Sequence, residues 1–230
     1  MTKKAILSWS GGKDSAWALH VVRERGDVDV VALVTTMNAA FDRVAMHAIR
    51  REIVEAQAEA ARLPLWTVPL PWPCSNEQYE AQMRELCGRA LGEGITAAVF
   101  GDLFLRDIRA YREKQLAGTG LQPLFPLWDL PTDQLARDTI RSGLRAKLTC
   151  VDPKQLSPEF AGREFDLGLL NDLPATVDPC GERGEFHTCV YAGPMFTRPL
   201  KLVEGEVLER DGFIFADLLL AGALASRKPA

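Results

Sequence analysis

The sequence predicts an α/β fold, a parallel sheet with helices on both faces, extended by a smaller C-terminal α+β part. Three observations predict it. Short apolar runs alternate with amphipathic stretches through residues 1–125. The links between them are short, which suits parallel strands joined by crossover helices. The run Val28–Met37 (VDVVALVTTM) is almost wholly apolar and β-branched, as befits a strand covered on both faces.

Ala5–Trp9 is the first expected strand, followed by a helix over Asp14–Arg25. Val28–Met37 is the second strand. Met46–Arg62, rich in Ala, Glu, Gln and Arg, carries Ile49, Ile53 and Val54 on one helical face. Leu65–Leu70 is the third strand, bounded by prolines at 64 and 71, and Ser75 or Asn76 caps the next helix, which runs to about Leu91. Thr96–Phe100 is the fourth strand, ending in Gly101-Asp102, and Asp107–Leu116 is helical. Beyond it, Leu121–Trp128 is extended, Thr132–Gly143 is a helix capped at Thr132 or Asp133, and Ala146–Val151 is a strand. Residues 152–180 have loop and short-helix character, and the chain from Thr188 onward consists of strands with a hairpin turn at Asp211-Gly212. The division falls near residue 125, giving parts 1–125 and 126–230.

Composition narrows the classes. The chain has 230 residues, 47% of them hydrophobic and 25% charged, and a net charge of -4, ordinary values for a globular protein. Such a balance speaks against broad nucleic-acid binding, which wants a basic surface. The apolar stretch Phe213–Leu224 is too short for a membrane span and contains Asp217. The N-terminal apolar run is too short for a secretory signal, so a cytoplasmic location is expected. The five cysteines form no CxxC pair and read as reduced thiols.

The stretch Ser8-Trp9-Ser10-Gly11-Gly12-Lys13-Asp14-Ser15 leaves a strand and enters a helix. Its glycines bring backbone N–H groups close to an anion. The helix N-terminus, Lys13 and the hydroxyls of Ser10 and Ser15 add charge and donors. This is a phosphate cradle, though neither GxxxxGK[ST] nor GxGxxG occurs here. In open α/β sheets ligands sit at the strands' carboxyl ends, which directs attention to the loops after Trp9, Met37, Leu70 and Phe100.

Three further constellations stand out, each with a plain alternative. Asp102, at a strand end beside the cradle, is either a Mg²⁺ ligand or a turn acid. Arg106, Arg109 and Glu113 share a helical face, and Arg109–Glu113 alone reads as a surface pair. Residues 178–188 (DPCGERGEFHT) crowd Glu182, Glu185 and His187 among glycines. There His187 is a candidate general base, or the stretch is a solvated turn.

The SGGKDS string resembles the PP-loop motif of the adenine nucleotide α-hydrolase-like superfamily. That resemblance implies ATP cleaved at its α-phosphorus, with adenine against the second strand's end near Val34–Met37. With Gly101-Asp102, Arg106, Arg109, Glu113, Pro126–Trp128 and Gly181–Thr188 in order, the chain resembles the diphthine–ammonia ligase family from Lys4 to about Phe196. The resemblance implies an ATP-dependent ligase that activates a carboxylate as an adenylate and amidates it with ammonia. By it, Ser10, Gly11, Gly12, Lys13, Asp14, Ser15, Met37 and Gly101 bind ATP, and Asp102 holds Mg²⁺. Arg106, Arg109, Glu113, Trp128, Glu182, Glu185, His187 and Thr188 line the acceptor region, and Lys13, Asp14, Asp102, Glu182 and Glu185 take part in catalysis. The implied acceptor is diphthine on elongation factor 2. The resemblance leaves a homodimer open. The family's last motif is commonly GEGGE[FY]ET, so here Arg183 replaces a glycine and His187 an acid. An RNA- or small-molecule-modifying PP-loop enzyme and a non-catalytic ATP- or AMP-binding module are the competing readings.

Overall fold

A computed structural model describes residues 2–44 and 47–222. Its elements follow the expected alternation. In order they are β1 (Lys3–Ser8), α1 (Lys13–Arg25), β2 (Val28–Asn38), β3 (Arg43–Val44), α2 (Arg51–Ala61), β4 (Leu65–Leu70), α3 (Asn76–Gly92), β5 (Ala97–Val99), α4 (Arg106–Leu116) and β6 (Gln122–Leu124). These form the first unit. Then come α5 (Thr132–Arg141), β7 (Arg145–Val151), α6 (Leu167–Asp172), β8 (Phe186–Ala192), β9 (Leu202–Arg210) and β10 (Phe213–Leu220).

The first sheet runs β3-β2-β1-β5-β6, with β4 added alongside β2. All its pairings are parallel except the short β2–β3 contact. The second sheet is antiparallel, in the order β8-β7-β10-β9. The strand period of two divides β1 between two cores. Ala5 and Leu7 join a core that continues through Leu148, Phe165 and Phe186 of the second unit. Ile6 joins a smaller core with Val34, Trp66 and Ala98. The two sheets therefore share buried apolar surface.

Local chemistry accounts for most boundaries. Ser75 accepts from the Gln78 amide while the Gln78 side chain accepts from the Ser75 amide, a capping box that starts α3. α1 stops at Gly26, which takes the left-handed conformation with φ 65°. Asp211 and Gly212 both have positive φ (53° and 80°), the turn that joins twisted hairpin strands. Two expectations need correction. α2 starts at Arg51, later than predicted, because the residues before it turn back across β2, and the predicted start at Met46 lies outside the described residues. α5 is preceded by Pro131, and neither Thr132 nor Asp133 caps it through a side chain. No helix among the described residues is long and apolar enough to cross a membrane.

Candidate active site

The turn from β1 into α1 is shaped by contacts from three directions. Gly11 has φ +78°, and a Cβ there would lie 2.8 Å from Gln57 Oε1 and 2.9 Å from Ile49 Cδ1. Only glycine fits both the conformation and the space. Gln57, fully buried on α2, accepts from Trp9 Nε1 (2.9 Å) and donates to the carbonyls of Gly11 (3.0 Å) and Val190 (2.7 Å). From the second unit, the Val190 amide donates to the Gly11 carbonyl (2.9 Å). The Lys13 amide donates to Thr188 Oγ1 (3.0 Å). From the side of β5, Gly101 sits so close to α1 that a Cβ would be 2.8 Å from the Asp14 carbonyl carbon. Ser10 Oγ accepts from the Gly12 amide (3.2 Å) and lies 3.2 Å from Ser15 Oγ, whose hydroxyl donates to the Gly12 carbonyl (3.0 Å).

A cavity of about 540 Å³ opens beside this turn. Ser8, Trp9 and Ser10 of the turn, Val34 and Thr36 of β2, Leu70 of β4 and Phe100 after β5 line it, with Tyr79, Tyr111, Arg112, His47 and His187. These are the strand ends that the sequence indicated. Met37 is buried in the core on the other face of β2, so its neighbours Val34 and Thr36, not its own side chain, face the cavity. The rings of His47 and His187 lie 4.5 Å apart. Burial, then each other's or Lys13's charge, holds His47 well below its ordinary pKa and His187 down at about 4. Both are neutral near pH 7. His47 Nδ1 is buried without a hydrogen-bond partner among the described residues, a cost that a bound polar group would relieve.

Lys13 points elsewhere. Its ammonium is buried against the second unit, donating to Asp14 (2.8 and 3.0 Å) and to the Cys180 carbonyl, with the Phe165 and Phe186 rings 5.5 and 5.6 Å away. Burial alone would lower its pKa, but Asp14, Cys180 and Glu182 outweigh that and raise it. The ammonium stays charged. Glu182 accepts from the Leu103 amide (2.8 Å), tying the second unit's loop to the chain after β5. Burial, with Asp14 and Asp102 nearby, pushes its carboxyl up to about 7.

The remaining expected site residues divide. Glu185 is 1% exposed, and its two oxygens accept from the Asp178 and Arg183 amides, both 2.9 Å away. It holds its own loop. Asp102 accepts two hydrogen bonds from Arg112 (2.5 and 3.1 Å). Arg109 pairs with Glu113 (2.8 Å) and lies over Phe125 and Trp128, 4.9 and 4.6 Å from the ring centres. Arg106 is exposed. Sequence reasoning missed Gln57, a lone amide in a polar-looking helix, and Arg112, whose partner Asp102 precedes the helix. Burial raises the Cys189 thiol to about 12 and pushes Cys180 up as well, so neither is a nucleophile at neutral pH.

The fit to a nucleotide rests on the turn's close backbone approach, the apolar cavity beside it and the unsatisfied His47 nitrogen. The fit to Mg²⁺ is poor. Asp102, the carboxylate expected to hold the ion beside nucleotide phosphates, is engaged by Arg112.

An α/β sheet with a glycine turn opening α1 and a nucleotide-sized cavity at the strand ends is the arrangement of a nucleotide-binding α/β protein. Models of the diphthamide synthase N-terminal and C-terminal domains match residues 2–123 and 131–215. The chain belongs to the diphthamide synthase family, as its motifs implied. It is similar to the diphthine–ammonia ligase of Schizosaccharomyces pombe, 27% identical over an alignment of 218 positions that covers 87% of this chain and 36% of that protein. The corresponding proteins of Bos taurus and Homo sapiens are each 25% identical over alignments of 230 positions that cover 90% of this chain and 85% of theirs. A U34-tRNA thiolase structure from Methanococcus maripaludis matches 61% of this chain and 58% of its own at 16% identity, with a TM-score of 0.36.

Proposed function

We propose that the protein is an ATP-dependent ligase that activates a carboxylate and amidates it with ammonia, releasing AMP and pyrophosphate. Its acceptor is diphthine or a related carboxylate. The observation that carries this reading is the junction itself, where the second unit's loop lies on the phosphate turn through Thr188, Val190 and the Cys180 carbonyl. Nucleotide and acceptor surfaces meet there.

ATP supplies the activating group, and the rest falls to this chain's residues. The turn from Ser10 to Ser15 and the α1 N-terminus hold phosphate oxygens, while Val34, Thr36 and Phe100 take the base in the large cavity. Lys13, paired with Asp14 and bound to the Cys180 carbonyl, fixes the start of α1 against the second unit, and the helix's positive end favours pyrophosphate as it leaves. Neutral His187, at the cavity wall, orients the attacking amine by accepting a hydrogen bond from it. Glu182 joins the two units beside Asp14. No step here runs through Mg²⁺. Arg109, Glu113 and Trp128 form the outer acceptor surface. The protein acts in the cytoplasm.

The test supplies Mg²⁺-ATP, ammonium and diphthine-bearing elongation factor 2 and follows nucleotide products. AMP and pyrophosphate are the expected products. ADP and phosphate would overturn the reading.

A further inference from the structure

A second cavity, of about 200 Å³, lies on the other side of His187. Val44 and His187 line both cavities and form their shared wall. Strand register explains its floor. His187 on β8 pairs with Cys150 on β7, Cys150 pairs with Phe215 on β10, and Phe213 pairs with Arg210 on β9. Side chains directly opposite across a sheet share a face, so His187, Cys150 and Phe215 form one row, and Phe213 stands two residues along the same face. The opposite wall comes from the first unit through Phe41 and Trp72, whose rings are 6.2 Å apart and largely exposed. The cavity therefore straddles the two units.

Its charges are unequal. Arg43 is engaged by Asp217 at 2.8 Å, a carboxylate that Arg50 also holds. Arg210 has no carboxylate partner among the described residues. Its guanidinium lies over Phe41 and Phe215, 5.4 and 4.8 Å from the ring centres. Asp211, in the turn, also lines the cavity. Aromatic stacking fixes a guanidinium's plane and leaves its edge donors to a ligand. A planar fork of donors among aromatic rings matches a carboxylate on a flat apolar body. The volume admits a group the size of a substituted benzoate, either as a free acid or as the end of a protein side chain.

We propose that this second cavity is a binding subsite beside the nucleotide site, taking a carboxylate on a flat apolar body between Trp72, Phe41 and Phe215, with Arg210 as its recognising cation. The proposal rests on the reading of the larger cavity as the nucleotide site. His187, in the shared wall, is the side chain between the two ligands. Arg210 is thus a specificity-determining residue outside the motifs.

The probes are 4-methylbenzoate, its uncharged amide, and a short peptide carrying 4-carboxyphenylalanine, titrated calorimetrically into the full chain. ATP-analogue binding is measured in parallel. The acid is expected to bind at least about tenfold more tightly than the amide, since only the acid brings a charge to the Arg210 guanidinium. Arg210→Gln should erase that preference and Arg210→Lys restore only part of it. Trp72→Ala, at a side chain 62% exposed, should weaken acid and amide alike without loss of fold. All three variants should leave ATP-analogue affinity unchanged. Tight binding of the peptide assigns the site to a protein side chain, and of the acid alone to a free molecule; both support the proposal. Equal affinity for acid and amide, retained preference in Arg210→Gln, or no binding of acid or peptide would overturn it. Loss of ATP-analogue binding by the wild-type chain would instead strike the nucleotide reading.

Discussion

Two loops meet at the junction, and they use similar residue types for opposite ends. The turn from Trp9 to Ser15 has its shape imposed from outside, by Gln57, Val190 and Thr188, which leaves Ser8, Trp9 and Ser10 on the cavity wall. The loop from Asp178 to Thr188 supplies its own scaffold. Asp178 accepts from the Glu182 amide, and Glu185 accepts from the amides of Asp178 and Arg183. A buried carboxylate satisfied by backbone donors is stable because its charge is paired with dipoles. Acids crowded by glycines thus look alike in sequence whether they face a ligand or their own backbone.

Substitutions can break or sharpen this contrast. Gly11→Ala carries the largest effect. A left-handed backbone and a contact under 3 Å from Gln57 together cost about 2–4 kcal/mol of stability, and ATP-analogue affinity should fall at least about tenfold, since each 1.4 kcal/mol of strain passed to the site is a factor of ten. Calorimetry and thermal unfolding check both numbers. Unchanged affinity would mean that the turn does not face the nucleotide.

Glu185→Gln comes next. The amide keeps one acceptor oxygen and leaves a backbone N–H unpaired, for about 1–3 kcal/mol. Here melting temperature should drop while ATP-analogue affinity stays within about twofold, a margin below 0.5 kcal/mol. A loss of affinity with an unchanged melting temperature would place Glu185 among the ligand-facing groups.

The smallest effect is a slope. Glu182 sits near 7 in the folded chain against an ordinary 4.5, so the fold holds a proton that the unfolded chain releases. Stability from this group is present below pH 4.5 and lost as pH rises through 7. His187 acts in the other direction. Its folded pKa of about 4, against 6.5, means that stability is lost as pH falls from 6.5 through 4. The two act over nearly the same interval and oppose each other, so Glu182→Gln should make melting temperature rise more steeply between pH 4.5 and 7 and leave the profile above pH 7 parallel to that of the wild type. Superimposable profiles would show that Glu182 is not shifted.

The sequence made the first unit legible where local chemistry sets the outcome. Leu65–Leu70 was bounded by prolines and matches β4 residue for residue, and Ser75 caps α3 as its position implied. The cavity's place at the strand ends followed from parallel topology alone. Side-chain direction at the junction was not legible, because it depends on partners far along the chain. Lys13 turns from the cavity toward Cys180, Asp102 finds Arg112, and Gln57 reaches Val190. The second cavity was invisible for the same reason, its walls coming from places as far apart in the chain as Phe41, Trp72, Cys150, His187 and Arg210.

The bond from the Lys13 amide to Thr188 joins residues 175 positions apart. Contacts so distant form late in folding, after the entropy of closing the intervening chain has been overcome. The phosphate turn therefore acquires its final shape only when β8 arrives, although β1 and α1 belong to the beginning of the chain. Nucleotide added to a refolding mixture meets a finished site after the rate-limiting barrier. It should slow unfolding and leave the rate of folding as it was.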